Sequence, residues 1–330
     1  MPYEQCSVSV IATEAYPDAA GGLPPDLQEM ATDDPWPQYR TNVQYSNASS
    51  LNTLQICFPR PTTTSHKQIW VIFVHGGAWL DPEIDASSFD KTQELLLQMP
   101  EVERIAAFAS INYRLSPDPT RATNPSLPED HARNAKHPDH INDLLAALLH
   151  LQETYAFDDR YLLVGHSCGA TMALQVAMSR KWTSNDASTT TKTFKLIPPM
   201  AILGVEGLYD LPALVDYHKD TPEYLSFVTN AFGSDRAIWA GASPVNAHYE
   251  TSWPDGRLVV LAHSREDELV EWEQVELQQK ALQAQGWESG KGVRRVELIE
   301  LRGKHDEVWE DGKELARAIQ LAVQEMKAFL

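Results

Sequence analysis

The run Tyr161-Leu162-Leu163-Val164-Gly165-His166-Ser167-Cys168-Gly169-Ala170 constrains the fold of this chain more than any other stretch. An apolar, β-like segment ends in Gly-x-Ser-x-Gly and passes directly into a small-residue helical pattern at Thr171, Ala173, Val176 and Ala177. A serine hydroxyl becomes an effective nucleophile when a tight strand-to-helix turn holds it out of the backbone. Glycines two residues to either side remove the Cβ atoms that would clash in such a turn. The helix start also brings N–H groups and the positive end of a dipole beside the hydroxyl. Ser167 is therefore the candidate nucleophile.

A second motif fits the same chemistry. Ile69-Trp70-Val71-Ile72-Phe73-Val74 reads as a fully buried strand, and His75-Gly76-Gly77-Ala78-Trp79 follows it. When a serine attacks a carbonyl, the oxygen becomes an anion, and one preorganised N–H donor lowers the barrier by about 3–4 kcal/mol. A glycine-rich loop after an early strand supplies such donors, and the N–H after the nucleophile, that of Cys168, supplies another.

A base and an orienting acid are expected next, in the chain order Ser, Asp or Glu, His, each on a loop after a strand. Leu258-Val259-Val260-Leu261-Ala262 is a short apolar strand, followed by His263-Ser264-Arg265-Glu266-Asp267-Glu268-Leu269-Val270. The segment 293–301 alternates like a strand and ends in Arg302-Gly303-Lys304-His305-Asp306, which makes His305 the candidate base. Of the neighbours Glu266, Asp267 and Glu268, Asp267 is the choice, because Leu269 and Val270 then anchor the following helix. Asp210, after the preceding strand, is the fallback. His263 precedes the acid, breaks the expected order, and reads as a hydrogen-bonded loop residue.

Strands expected at 52–58, 69–74, 104–112, 161–165, 199–205, 258–262 and 293–301 alternate with helices near 88–98, 138–156, 168–181, 268–285 and 311–328. That alternation predicts an α/β class fold with a mostly parallel central sheet flanked by helices, and the order Ser, acid, His along the chain is that of the α/β-hydrolase fold. A single domain is expected over 1–330, with 1–40 as an irregular N-terminal arm and 116–136 and 183–193 as loop insertions. His131, His137 and His140 lie in and just after the first insertion without the cysteine or acidic pattern of a zinc site, so no metal is expected there.

With 27 basic and 46 acidic side chains the net charge is −19, which argues against nucleic acid and anionic membrane surfaces as partners. Three cysteines, Cys6, Cys57 and Cys168, imply no disulfide framework. No run of 18 apolar residues occurs, and residues 1–21 lack a basic segment followed by an apolar core. The expectation is a cytoplasmic protein acting on a small molecule, with a homodimer compatible with the sequence.

Together the motifs resemble the kynurenine formamidases (arylformamidases), α/β-hydrolases related to the hormone-sensitive lipase group. The resemblance rests on His75-Gly76-Gly77-Ala78-Trp79, where most related esterases carry His-Gly-Gly-Gly. Gly165-His166-Ser167-Cys168-Gly169-Ala170, Asp267 in Asp-Glu-Leu-Val and His305 in His-Asp-Glu-Val extend it. It covers the chain from about Asn52 to the C-terminus.

The resemblance implies a triad of Ser167, Asp267 and His305, and an oxyanion hole formed by the N–H groups of Gly77, Ala78 and Cys168. It places His75, Gly76 and Trp79 at the substrate pocket. It implies hydrolysis of N-formyl-L-kynurenine to L-kynurenine and formate, a step of tryptophan degradation, without metal or organic cofactor. A broad-specificity carboxylesterase of the same fold is the alternative; a non-catalytic, ligand-binding relative is disfavoured by Ser167 and His305 standing in place. Asn112, Tyr113, Arg114 and Glu206, near predicted strand ends, are the candidates for holding the amino-acid part of such a substrate.

Overall fold

A computed structural model describes residues 35–61, 68–178, 195–290 and 292–330. Eight strands form one sheet in the order β1-β2-β4-β3-β5-β6-β7-β8. They are β1 (Gln38–Gln44), β2 (Thr53–Phe58), β3 (Ile69–Val74), β4 (Ile105–Ile111), β5 (Tyr161–His166), β6 (Ala201–Val205), β7 (Leu258–Ser264) and β8 (Arg295–Leu301). β2 runs antiparallel to β1 and β4, and every later neighbour is parallel.

Parallel neighbours need crossover connections, and helices supply them. Those of seven residues or more are α1 (Asp90–Leu96), α2 (Asp139–Tyr155), α3 (Cys168–Met178), α4 (Leu211–Tyr217), α5 (Pro222–Phe232), α6 (Arg236–Ala242), α7 (Glu273–Gln283) and α8 (Lys313–Met326). Every residue of β3, β5, β6 and β7 is buried, the pattern of strands covered on both faces. On α8 the buried residues Leu315, Ala318, Ile319, Ala322, Val323 and Met326 recur at helical spacing and join the cluster around Phe73, Val164, Leu203 and Val260.

The chain leaves β3 toward β4 on one side and reaches β5 on the other. This reversal opens a crevice at the carboxyl ends of β3 and β5, where open α/β sheets bind ligands. The loops 75–79, 167 and 206 and those carrying Asp267 and His305 all leave this edge.

Seven strands match the sequence expectation to within about two residues at each end. β1 was not expected: its residues Gln-Tyr-Arg-Thr-Asn-Val-Gln are polar and largely exposed, because an edge strand buries little of either face. It begins inside the expected arm, of which residues 1–34 lie outside the described residues, as does the insertion 183–193. Residues 116–136 contain no strand and a single three-residue helical turn, His131–Arg133. Arg121 pairs with Asp81 at 2.9 Å, fastening this segment to the turn after the His75–Trp79 motif. The helices α4–α6 were also not expected; they are short, two carry proline in their first turn, and Tyr217, Leu225 and Ile238 on them are exposed, so no clear apolar stripe marks them. Among the described residues no helix is long and apolar enough to cross a membrane.

Candidate active site

Ser167 stands between β5 and α3 with φ 54°, in the left-handed region that a strand-to-helix elbow imposes. The two flanking glycines are sterically required. A Cβ on Gly165 would overlap the Gly169 carbonyl, and one on Gly169 would overlap the carbonyl groups of Val74 and His75. The Ser167 N–H donates to the Val205 carbonyl at 2.8 Å, tying the elbow to β6. Ser167 is 7% exposed.

The loop after β3 wraps against this elbow. A Cβ on Gly76 would come 3.1 Å from Cβ of Ser167, so the loop backbone passes directly beside the candidate nucleophile. Gly77, Ala78 and Trp79 all have positive φ, at 90°, 49° and 62°. Two of these are not glycine, a strained arrangement that surrounding contacts must hold. Those contacts are specific. The Tyr113 hydroxyl donates to the carbonyls of His75 and Gly76 at 3.0 Å each, and its ring stacks on His75 at 4.3 Å. The Trp79 N–H donates to Cys168 Sγ at 3.3 Å, and Leu80 and Asp81 N–H close the turn onto the Gly77 carbonyl at 2.9 Å. Burial raises the Cys168 thiol to about 11, so it stays protonated, and lowers His75 to about 4, so it stays neutral. The Trp79 indole is 1% exposed, edge-on to Phe232 of α5 at 5.0 Å.

On the acid–base side, His305 Nδ1 lies 2.9 Å from Asp267 Oδ2. The other oxygen, Oδ1, accepts from the N–H groups of Leu269 and Val270 at 2.9 Å each, so loop backbone fixes the carboxylate; the helix these residues were expected to anchor begins only at Glu273, and Leu269 is exposed. Burial alone would raise the Asp267 carboxyl; the hydrogen bond and charge of His305 outweigh it and hold the group below its usual value. Its neighbours do other work. Glu266 is exposed, and Glu268 accepts from the His305 backbone N–H at 3.3 Å. Asp210 caps α4 through the Ala213 N–H at 3.0 Å. His263 is fully buried, with Nε2 2.9 Å from the Val270 carbonyl and 3.5 Å from Asp267 Oδ2.

Glu206 has a place that sequence reasoning missed. It follows β6 with φ 49°, is 0% exposed, and sets Oε2 3.6 Å from His305 Nδ1 and 3.4 Å from His166 Nε2. His166 Nε2 also lies 3.1 Å from the His305 carbonyl oxygen. Burial, then the charge of Asp267, raises the Glu206 carboxyl to about 10. The sequence signal was a glutamate-glycine pair at the end of an all-apolar strand.

The other candidates for the substrate's amino-acid part are committed elsewhere. Arg114 is paired with Asp143 through Nε and Nη2 at 2.8 Å each, Tyr113 braces the loop, and the Asn112 side-chain carbonyl accepts from the Ala86 N–H at 2.7 Å. Of the three histidines in and just after the first insertion, buried His140 lies in the first turn of α2, 3.0 Å from the Ser116 hydroxyl, and His137 packs on Phe232 at 5.1 Å. Among the described residues the group whose ligand atoms gather within 4.8 Å is His166, Glu206 and His305. In that group His305 is already hydrogen-bonded to Asp267.

Comparison with known proteins agrees with this architecture. The BD-FAE family matches residues 54–282. The chain is 38% identical to a kynurenine formamidase-like hydrolase of Fusarium equiseti over 85% of its own length and 92% of the relative's. It is 35% identical to a kynurenine formamidase of Aspergillus versicolor over 80% and 93%. Among solved structures, a carbohydrate esterase from gut microbiota superposes with TM-score 0.60 at 18% identity, covering 88% of this chain and 98% of that one. Esterase B from Lactobacillus rhamnosis does so with TM-score 0.61 at 18% identity, covering 88% and 89%. At that identity the likeness is one of fold. The sheet, the family match and the relatives together place the chain in the BD-FAE family, among the kynurenine formamidase-like α/β-hydrolases.

Proposed function

We propose that this hydrolase cleaves N-formyl-L-kynurenine to L-kynurenine and formate, a step of tryptophan degradation, through Ser167, His305 and Asp267. The observation that carries the mechanism is the 2.9 Å contact between His305 and Asp267 on the same sheet edge as the Ser167 elbow. The substrate follows from what the relatives are named for, and we assign closure of the acyl side to Trp79, which is buried against Phe232.

Ser167 Oγ bonds to the formyl carbon while its proton passes to His305 Nε2, and Asp267 stabilises the imidazolium through Nδ1. The N–H groups of Gly77, Ala78 and Cys168 receive the oxyanion. Collapse breaks the C–N bond, and His305 returns the proton to the departing aniline nitrogen. Water then repeats the sequence on the formyl-enzyme, releasing formate. All groups in this scheme come from one chain and one sheet edge; we propose a single catalytic domain acting on a small molecule, in the cytoplasm and without metal or organic cofactor.

Formyl, acetyl and butyryl derivatives of one aryl amine test this reading. One methylene in a restricted pocket is worth about 1–3 kcal/mol, so formyl should exceed acetyl by about tenfold to two-hundredfold in kcat/KM, with butyryl slowest. Fastest turnover of butyryl would overturn it in favour of a carboxylesterase.

A further inference from the structure

We propose that Glu206 is a second positioning carboxyl for the catalytic base: beside Asp267 it keeps His305 and His166 in register, and when Asp267 is removed it becomes the group that orients His305 Nδ1. This rests on the triad reading above and extends it to a residue outside the triad.

Geometry comes first. Glu206 Oε2 faces His305 Nδ1 at 3.6 Å, on the nitrogen that Asp267 already holds at 2.9 Å, and faces His166 Nε2 at 3.4 Å. The same His166 nitrogen reaches the His305 carbonyl oxygen at 3.1 Å, so the carboxyl, the residue before the nucleophile and the base form one closed group. Glu206 Oε1 has no hydrogen-bond partner among the described residues. The backbone is held to match. Glu206 adopts φ 49°, and its N–H donates to the Ala262 carbonyl on the neighbouring strand at 2.8 Å. Burying an ionisable group and leaving one oxygen unpaired is unfavourable, and a space-filling role needs neither.

The groups facing this carboxyl explain how it behaves. Asp267, Glu268 and Asp306 disfavour its charge, and the Ser264 N–H favours it. His166 is held neutral by burial first and by His305 second, and His263 Nε2 lies 3.5 Å from Asp267 Oδ2. With Asp267 ionised, Glu206 therefore stays protonated, and His305 faces one negative charge rather than two. Two carboxylates on one imidazole would hold it protonated and unable to accept the Ser167 proton. Removing Asp267 lifts the largest charge opposing Glu206, which can then ionise 3.6 Å from Nδ1.

The test measures kcat and KM for N-formyl-L-kynurenine from pH 6 to 10 in the full chain, in E206Q, D267A and D267A/E206Q, with thermal melts to establish folding. Alanine at 267 is chosen because asparagine could fix the wrong imidazole tautomer. E206Q should lower kcat about threefold to tenfold with KM unchanged. Loss of a sole orienting acid costs on the order of 10⁴. D267A, with its reserve carboxyl, should lose only about 10²–10³, and its residual rate should rise again on the alkaline side as Glu206 ionises. The double variant should fall at least about tenfold below the product of the two single effects and lose that alkaline rise.

A double variant equal to the product of the singles, with an unchanged pH profile, would overturn the proposal. Should the double variant not fold, D267A alone decides, because a residual rate without the alkaline rise overturns the proposal equally. Wild-type kcat in D267A would overturn the triad reading itself and this proposal with it.

Discussion

The Ser167 half of the candidate site, where β3 and β5 end, is fixed by backbone sterics, whereas the His305 half, where β6, β7 and β8 end, is fixed by buried titratable groups. In the first, Gly76, Gly165 and Gly169 allow main chain to approach main chain, and Tyr113 and Cys168 brace the positive-φ loop with hydrogen bonds. In the second, the side chains of Glu206, His263, Asp267 and His305 lie together in one hydrogen-bonded group, which His166 at the end of β5 joins from the other half. The difference predicts where each half is fragile. Steric sites should fail all at once, by loss of packing, and be indifferent to pH. Titratable sites should fail by degrees and in a pH-dependent way.

The largest expected effect lies on the steric side. Gly169→Ala pushes a methyl into the carbonyls of Val74 and His75 and should destabilise the protein by at least about 3 kcal/mol, with no folded, active fraction in thermal melts at 25 °C as its extreme form. A soluble G169A with wild-type melting would break the comparison at its firmest point.

The charged half should show its character in stability rather than folding. The Glu206 carboxyl is raised in the folded state, to about 10, above its unfolded value. The stability it contributes is therefore present in full at pH values below the unfolded value and is lost as pH rises toward the folded one. Glutamine does not titrate, so E206Q should gain on wild type by up to about 1.4 kcal/mol per pH unit across that window. Melting curves at pH 5, 7 and 9 check this; a constant difference between the two proteins would mean that Glu206 ionises as freely in the fold as in water.

The smallest effect belongs to the brace between the halves of the nucleophile loop. Tyr113→Phe leaves two buried carbonyls without their donor and should cost about 1–3 kcal/mol in stability and roughly fivefold to tenfold in kcat, with no change in the pH profile. A shifted pH profile in Y113F would show that the two halves are electrostatically coupled, contrary to the contrast drawn here.

The same contrast explains what the sequence reveals. Gly165, Ser167, Gly169 and His75–Trp79 are legible because close backbone approach demands glycine at fixed short spacings, which leaves a local pattern. Seven strands are legible because the strands covered on both faces are continuously apolar and β2 and β8 carry apolar residues in alternation. Asp267 stands out from Glu266 and Glu268 by its spacing to Leu269 and Val270, although only Val270 of that pair is buried. Glu206 is legible only as a polar residue near a strand end: its place beside His305 depends on three loops from three strands meeting, and no spacing along the chain records that. The polar edge strand β1 and the short helices α4–α6 escape for a different reason, since neither buries enough of one face to leave a periodic stripe. α5 matters to the site, because its Phe232 packs on Trp79 and its Tyr224 donates to the Leu269 carbonyl at 2.6 Å.

The central claim is that Ser167 carries the hydrolysis of N-formyl-L-kynurenine, and the most direct measurement is turnover of that compound by the wild-type chain and by S167A at matched folding. Kynurenine and formate should appear in equal amounts with the wild type, and kcat should fall by about 10⁴ or more in S167A, leaving the contribution of binding and the oxyanion donors. Failure of the wild type to release formate, or an S167A rate within tenfold of wild type, would contradict the account.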